Sequence, residues 1–177
     1  VEDLLQLARG DQGADIAPKL MNLTLLLRDV ADVFAPLLES KQLRLELDVP
    51  DNLLIIGDSD NLVRLFINLL DNAVKFTDEG EIGIRACAAV RSVSIAISDT
   101  GVGIAEGDLA QIFDRFYRVD SSRSTSGNGL GLSIAKSIVM AHHGHIEVSS
   151  HQGRGSVFTI VFPTSSPADE SQQRIEP

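Results

Sequence analysis

The stretch from Asn61 to Thr77, NLVRLFINLLDNAVKFT, constrains this chain more than any other, because only one period sorts its residues into an apolar and a polar side. At about 100° per residue, Leu62, Phe66, Leu69, Leu70 and Ala73 fall on one side of a helix, and Asn61, Arg64, Asn68, Asp71, Asn72 and Lys75 on the other. Asp58, Ser59 or Asp60 can accept hydrogen bonds from the free N–H groups of the first turn, and Asp78-Glu79-Gly80 supplies a breaker after the last. The apolar side needs a second layer to cover it. The polar side is rich in amides, and it is either a solvated face or a binding face. The helix alone does not choose.

Upstream, Leu26, Val30, Val33, Phe34, Leu37 and Leu38 recur at helical spacing between Leu25 and Lys41, with Pro36 removing one backbone donor and able to kink the helix. Leu43, Leu45, Leu47 and Val49 alternate as in a half-buried strand, Pro50-Asp51-Asn52 makes a turn, and Leu53 to Ile56 reads as a short second strand. Downstream, Glu81 to Val90 and Ser92 to Ser98 predict a hairpin that runs into Asp99-Thr100-Gly101-Val102-Gly103-Ile104 and a short helix, Glu106 to Phe113. From Asp114 to Asn128 the composition shifts to Arg, Ser, Asp and Gly, which predicts a mobile segment. Gly129-Leu130-Gly131 then opens a helix to about His142, and His145 to Ser150 and Ser156 to Phe162 are strands joined through Gly153 to Gly155. Hairpins outnumber crossovers in this order. The predicted class is α/β, a two-layer α/β sandwich with a mixed, mostly antiparallel sheet of about five strands and about three helices on one face.

The chain has 177 residues, 44% of them hydrophobic, enough for one substantial core. Its formal charge of −10 argues against a nucleic-acid partner, because neutralising phosphates takes a basic face. An anionic ligand therefore needs a local exception. The single cysteine, Cys87, excludes an internal disulfide framework, and its strand-like surroundings predict a buried apolar thiol. No stretch approaches the roughly 20 apolar residues that span a bilayer, and no basic-then-apolar signal segment opens the chain. The chain begins at Val1 rather than Met, as a fragment or processed product would. Val1, Leu4, Leu5 and Ala8 have the spacing of a helix that ends before Gly10, Asp11 and Gly13, and Pro163 onward has the composition of a disordered tail.

Two local motifs can carry chemistry. Asp99 ends a strand and is followed by Gly101 and Gly103, which let backbone approach a planar or charged ligand while the carboxylate accepts from an amine or amide. A tight turn explains that motif equally well. Gly127, Gly129 and Gly131 precede a helix whose N-terminus offers unpaired N–H groups to phosphate, although no Gly-Lys-Ser/Thr follows and no dinucleotide-fold context precedes. A flexible hinge is the alternative. His142, His143, His145 and His151 have neither a neighbouring cysteine nor further ligands, so a metal site there is not expected.

Taken in order, NLLDNAVKFT, DTGVGI, IFDRFYRVD and GNGLGLSIAKSIV resemble the asparagine box, first glycine box, phenylalanine box and second glycine box of the catalytic ATP-binding domain of bacterial sensor histidine kinases. That domain lies within the superfamily that includes gyrase B, Hsp90 and MutL. The resemblance covers residues 16–163, and implies that 1–15 are a remnant of the helical dimerisation domain, 114–128 an ATP lid and 164–177 a tail. It implies ATP and Mg²⁺ as ligands: Asn72 holding the metal, Asn68 beside the triphosphate, Lys75 and Arg118 at phosphate oxygens, with Arg115 or Arg123 as further arginines of the lid. Asp99 would accept from the adenine amino group. Phe76, which stands where the family often has tyrosine, would line the base with Ile104, Leu130 and Leu132. Gly101, Gly103, Gly127, Gly129 and Gly131 would shape the site. Asn68, Lys75 and Arg118 would serve catalysis.

The implied activity is transfer of the γ-phosphoryl group to a histidine on a dimerisation domain absent from this chain, then to a response regulator. None of the four histidines lies in the acceptor context. The parent would be a homodimer with this domain in the cytoplasm, anchored in the bacterial inner membrane. Self-contained ATPases of the gyrase and Hsp90 type place a glutamate one turn before the metal asparagine. Asn68 occupies that position, and a neutral amide is no general base. A nucleotide sensor without turnover and a serine kinase of the anti-sigma type are the other readings.

Overall fold

In the computed structural model, which describes residues 18–119 and 128–164, the main sheet is built from strands whose inward positions are nearly all aliphatic or aromatic. The elements run β1 (Lys19–Asn22), α1 (Leu23–Ser40), β2 (Arg44–Asp48), β3 (Leu54–Gly57), α2 (Ser59–Lys75), β4 (Glu81–Ala88), β5 (Ser92–Asp99), α3 (Glu106–Leu109), α4 (Gly131–Ala141), β6 (His145–His151) and β7 (Gly155–Pro163). The five-stranded sheet has the order β2-β4-β5-β7-β6, with β2 parallel to β4 and the other pairs antiparallel. Helices α1, α2 and α4 form the second layer of the α/β sandwich that the sequence predicts.

Register aligns the core in rows across the sheet. Ile84, Ile97, Phe158 and Val148 stand side by side on β4, β5, β7 and β6, and Ala86, Ile95, Ile160 and Ile146 make the adjacent row. One level further the row changes character, reading Ile82, Asp99, Ser156 and Ser150. Against these rows α2 buries Leu62, Leu65, Phe66, Leu69, Leu70, Ala73 and Val74.

Both ends of α2 are fixed. Asp58 is its N-cap, accepting from the Asn61 N–H at 2.9 Å. At the other end Lys41 Nζ donates to the carbonyls of Val74 (2.6 Å) and Thr77 (3.3 Å), placing positive charge on the negative pole of the helix. His142, just past α4, joins that helix to the start of α2. Its Nε2 accepts from the Asp58 N–H at 2.9 Å while Nδ1 donates to the Ile138 carbonyl at 2.8 Å, so the proton sits on Nδ1. His142→Phe keeps the packing against Phe162 but leaves the Asp58 N–H unpaired. We expect it to lower unfolding free energy by about 1–3 kcal/mol in urea melts.

Several expectations are corrected. Helix α1 starts at Leu23 and continues through Pro36, but Val33 and Leu37 are 69% and 43% exposed, since the inward stripe is carried by Leu26, Leu27, Val30, Phe34 and Leu38. The strand after Pro50 does not join the main sheet; β3 pairs with β1, a strand the periodicity does not announce. Strand β2 is an edge, so Leu47 is exposed. The helix at Glu106 ends at Leu109 and continues to Phe113 as turns. Cys87 is exposed, because Ile82, Ile84 and Ala86 take the inward positions of β4 and leave Arg85 and Cys87 on the opposite face. Residues 1–17, 120–127 and 165–177 lie outside the described residues, and with them the N-terminal helix remnant, most of the expected lid and the tail. Among the described residues no helix is long and apolar enough to cross a membrane.

Candidate functional site

The C-terminal half of the polar stripe of α2, Asn68, Asp71, Asn72 and Lys75, borders a cavity. It forms one wall of this space of about 460 Å³, whose other walls are the residues after β5, the segment after α3, the start of α4 and the start of β7. Asn68, Asn72, Lys75, Phe76, Asp99, Gly103, Ile104, Arg118, Gly129, Leu130, Gly131 and Leu132 all line it. Gly101 does not, and Gly127 and Arg123 fall outside the described residues. Arg115 is not among the lining residues.

Asp99 lines the cavity from the end of β5. Burial pushes its carboxyl above the usual aspartate range, while hydrogen bonds from the Gly101 N–H and from the Ser156 N–H and hydroxyl pull it back down. The Gly101 N–H reaches Oδ1 at 2.9 Å. Ile104, Leu130 and Leu132 contribute apolar surface to the same cavity.

The wall where α2 meets α4 is polar. Asn68 Nδ2 is buried and has no hydrogen-bond partner among the described residues, a cost that a native interior rarely leaves standing. Gly131 faces it: a β-carbon there would lie 3.6 Å from Asn68 Oδ1 and 3.9 Å from Asn72 Nδ2. Leu130, the N-cap of α4, offers no side-chain cap, so the first N–H groups of the helix and the side chains of Lys75 and Arg118 supply positive character beside the cavity. The donor set suits Mg²⁺. Amide oxygens are hard ligands, and the described residues contain no cluster of three or more His, Cys, Asp or Glu, so an ion held here would take the rest of its shell from oxygens of a ligand or of water.

Beyond lining the cavity, as Gly103 and Gly129 do, the glycines have a packing role. A β-carbon on Gly101 would collide with the Phe76 carbonyl, and one on Gly103, at φ +65°, with the His151 carbonyl. They let the loop after β5 close onto the end of α2 and onto the β6–β7 turn. The Val102 N–H donates to the Phe76 carbonyl at 3.0 Å and the Gly153 N–H to the Val102 carbonyl at 2.7 Å. Gly129, at φ +68°, admits the Tyr117 carbonyl, and the Phe116 N–H donates to the Gly129 carbonyl at 3.0 Å. Tyr117 Oη donates to Asp108 at 2.6 Å.

A family model described as histidine kinase-, DNA gyrase B- and HSP90-like ATPase matches residues 57–166. The chain belongs to this ATPase family. The ATPase domain is 36% identical over 168 residues to the signal transduction histidine-protein kinase BaeS of Escherichia coli K12, covering 92% of this chain and 36% of that one. It is 36% identical over 179 residues to the phosphate regulon sensor protein PhoR of Pseudomonas aeruginosa, covering 98% and 40%. The chain thus spans about two fifths or less of the length of these relatives. Among solved structures, full-length ShkA in complex with AMPPNP superposes with a TM-score of 0.80 at 30% identity, covering 93% of this chain and 35% of that one. The catalytic domain of the histidine kinase ThkA gives 0.76 at 26% identity, covering 84% and 99%.

The ATPase cavity also includes residues that motif reading passed over. Ile112, Tyr117, Ser156 and Phe158 line it, and Ser156 holds Asp99. Ser156 and Phe158 come from the final strand, far from every box, and only the pairing of β5 with β7 brings them in.

Proposed function

We propose that this domain binds Mg-ATP between α2 and α4 and transfers the γ-phosphoryl group to a histidine on a helical dimerisation domain of the same parent protein, for onward passage to a response regulator. The observation that carries this reading is the polarity of one cavity. A half-buried carboxylate on β5 and, where α2 meets α4, an unpaired amide, a lysine and the first N–H groups of α4 line the same space. That is the complement of an adenine nucleotide, amino group to carboxylate and phosphates to N–H groups.

In this reading Asp99 accepts from the adenine amino group, selecting adenine over guanine, which carries a carbonyl there. Phe76, Ile104, Leu130 and Leu132 flank the base. Asn68 Nδ2 donates to a phosphate oxygen and so gains the partner it lacks, and Asn72 holds Mg²⁺ through its side-chain oxygen. The bound ion neutralises phosphate charge and orients the transferring group. Lys75 and Arg118 add positive charge where the bond between γ-phosphorus and the ADP oxygen breaks as that to the acceptor imidazole nitrogen forms. Gly127, Gly129 and Gly131 deliver the start of α4 to the phosphates. Residues 1–15 would be the end of the dimerisation domain, 114–128 the lid over the nucleotide and 164–177 a tail. The parent is a homodimer anchored in the inner membrane, with this domain on the cytoplasmic side. Names of relatives as sensor kinases support that placement.

Water is a different matter. Asn68 cannot take a proton from an attacking water at neutral pH, so the isolated chain should show negligible steady-state ATP hydrolysis. Supplied with a purified dimerisation domain and γ-labelled ATP, it should form acid-labile phosphate on that partner. Robust hydrolysis by the chain alone would restore the gyrase-type reading, and binding without transfer to a competent acceptor would leave a nucleotide sensor.

A further inference from the structure

Three adjacent strands each place one polar residue at the same level of the helix-facing surface: Asp99 on β5, Ser156 on β7 and Ser150 on β6. The neighbouring level is wholly apolar, Ile97, Phe158 and Val148. Polar groups beside such a core are costly unless they bond one another. They do. Ser156 donates to Asp99 from both its N–H and its hydroxyl. Ser150 Oγ stands 3.0 Å from Ser156 Oγ, 2.9 Å from the Gly155 carbonyl, and accepts the Ile104 N–H at 2.8 Å.

Ser150 donates to the Gly155 carbonyl, and its oxygen lies 3.0 Å from that of Ser156, where either hydroxyl can supply the proton between them. The row links the Ile104 N–H to Ser150, Ser150 to Ser156, and Ser156 to Asp99, its partner in register, so each group restrains the next. Holding the hairpin turn does not depend on Ser150, because the Gly153 N–H to Val102 and Arg154 N–H to His151 bonds, at 2.7 and 2.9 Å, already do so.

We propose that Ser150, which does not itself line the cavity, is a positioning residue for adenine recognition: its hydroxyl orients Asp99 through Ser156 and fixes the backbone of Ile104 beneath the base. This rests on the adenine-nucleotide reading of the cavity. Ser150→Ala removes the hydroxyl and leaves the Ile104 N–H without its acceptor, whereas Ser150→Thr keeps both bonds on a strand that accepts a β-branched residue.

The test is an NMR titration of wild type, Ser150→Ala and Ser150→Thr with Mg-ADP and with Mg-inosine diphosphate, whose base has a carbonyl where adenine has its amino group. Ser150→Ala should weaken ADP about tenfold, leave inosine diphosphate within about twofold, and be rescued by Ser150→Thr. Unchanged ADP affinity in Ser150→Ala, equal loss for both nucleotides, or failure of Ser150→Thr to rescue would each overturn the proposal while wild-type ADP binding stands. A wild type that binds neither nucleotide would overturn the nucleotide reading itself. Should Ser150→Ala not fold, amide exchange in wild type decides: Ile104 must be strongly protected, and exchange at an open-loop rate would sink the idea.

Discussion

Asp99→Asn should cost at least a hundredfold in affinity for adenine nucleotides, about 3 kcal/mol, and should turn the residual preference toward 6-oxo purines. The reasoning is a count of donors. The Gly101 N–H, the Ser156 N–H and the Ser156 hydroxyl already point at the carboxylate. A carboxamide must turn its single oxygen toward them, which aims its NH₂ at the adenine amino group, donor against donor. A purine with a carbonyl there would instead gain a partner. Calorimetric titration with ADP and GDP reads both effects, and an Asp99→Asn protein that keeps wild-type affinity for ADP would remove Asp99 from the base site.

The same substitution exposes the electrostatic cost of the residue. Burial raises the Asp99 pKa, so between its ordinary value and the raised one the folded state holds a proton that the unfolded chain has lost. The contribution of Asp99 to stability is thus fullest below that window and falls as pH rises through it. Relative to Asp99→Asn, which has no such titration, wild type should gain stability as pH is lowered through the window in paired urea melts. Nucleotide affinity should move the opposite way, because the ionised carboxylate is the better acceptor.

Asn72→Ala should have the second large effect, on the metal. Loss of one oxygen ligand beside the phosphates is expected to lower phosphoryl transfer by 10²–10³ and to weaken Mg-ATP, while metal-free ATP binding changes by less than about threefold. Comparing titrations with magnesium and with excess chelator separates the two contributions. Equal losses in both would assign Asn72 to the phosphates instead, and no loss would free it from the site.

The long helices were legible because they carry their own period and stops, whereas the short one at Glu106, with no period to extend it, ends at Leu109. Asp58 before α2 and Gly80 after it bound a pattern that tertiary contacts only had to receive. Strand partners were not legible in that way. Lys19 to Asn22 is too short to show alternation, and nothing local tells Leu54 to Gly57 to pair with it rather than with the main sheet. Parity, however, was written and not used. Counting back from Ile84 and Ile82 sends Cys87 outward, and the inward series Val93-Ile95-Ile97 of β5 and Ile146-Val148 of β6 are followed, and Phe158-Ile160-Phe162 of β7 preceded, by a polar residue of the same parity, Asp99, Ser150 and Ser156. A polar residue at a core parity is a signal that spacing motifs do not contain. What makes the three meet is register across strands distant in sequence, and no single segment encodes that.

The outward turn of Cys87 has a practical side. It is the only cysteine in the chain, it is exposed, and it sits on the sheet face turned away from the helices that bound the cavity. One maleimide dye or spin label can therefore be attached to the unaltered sequence at a fixed point behind the nucleotide pocket. It would report domain orientation or distance to a partner's label while the chemistry proceeds on the other side of the sheet.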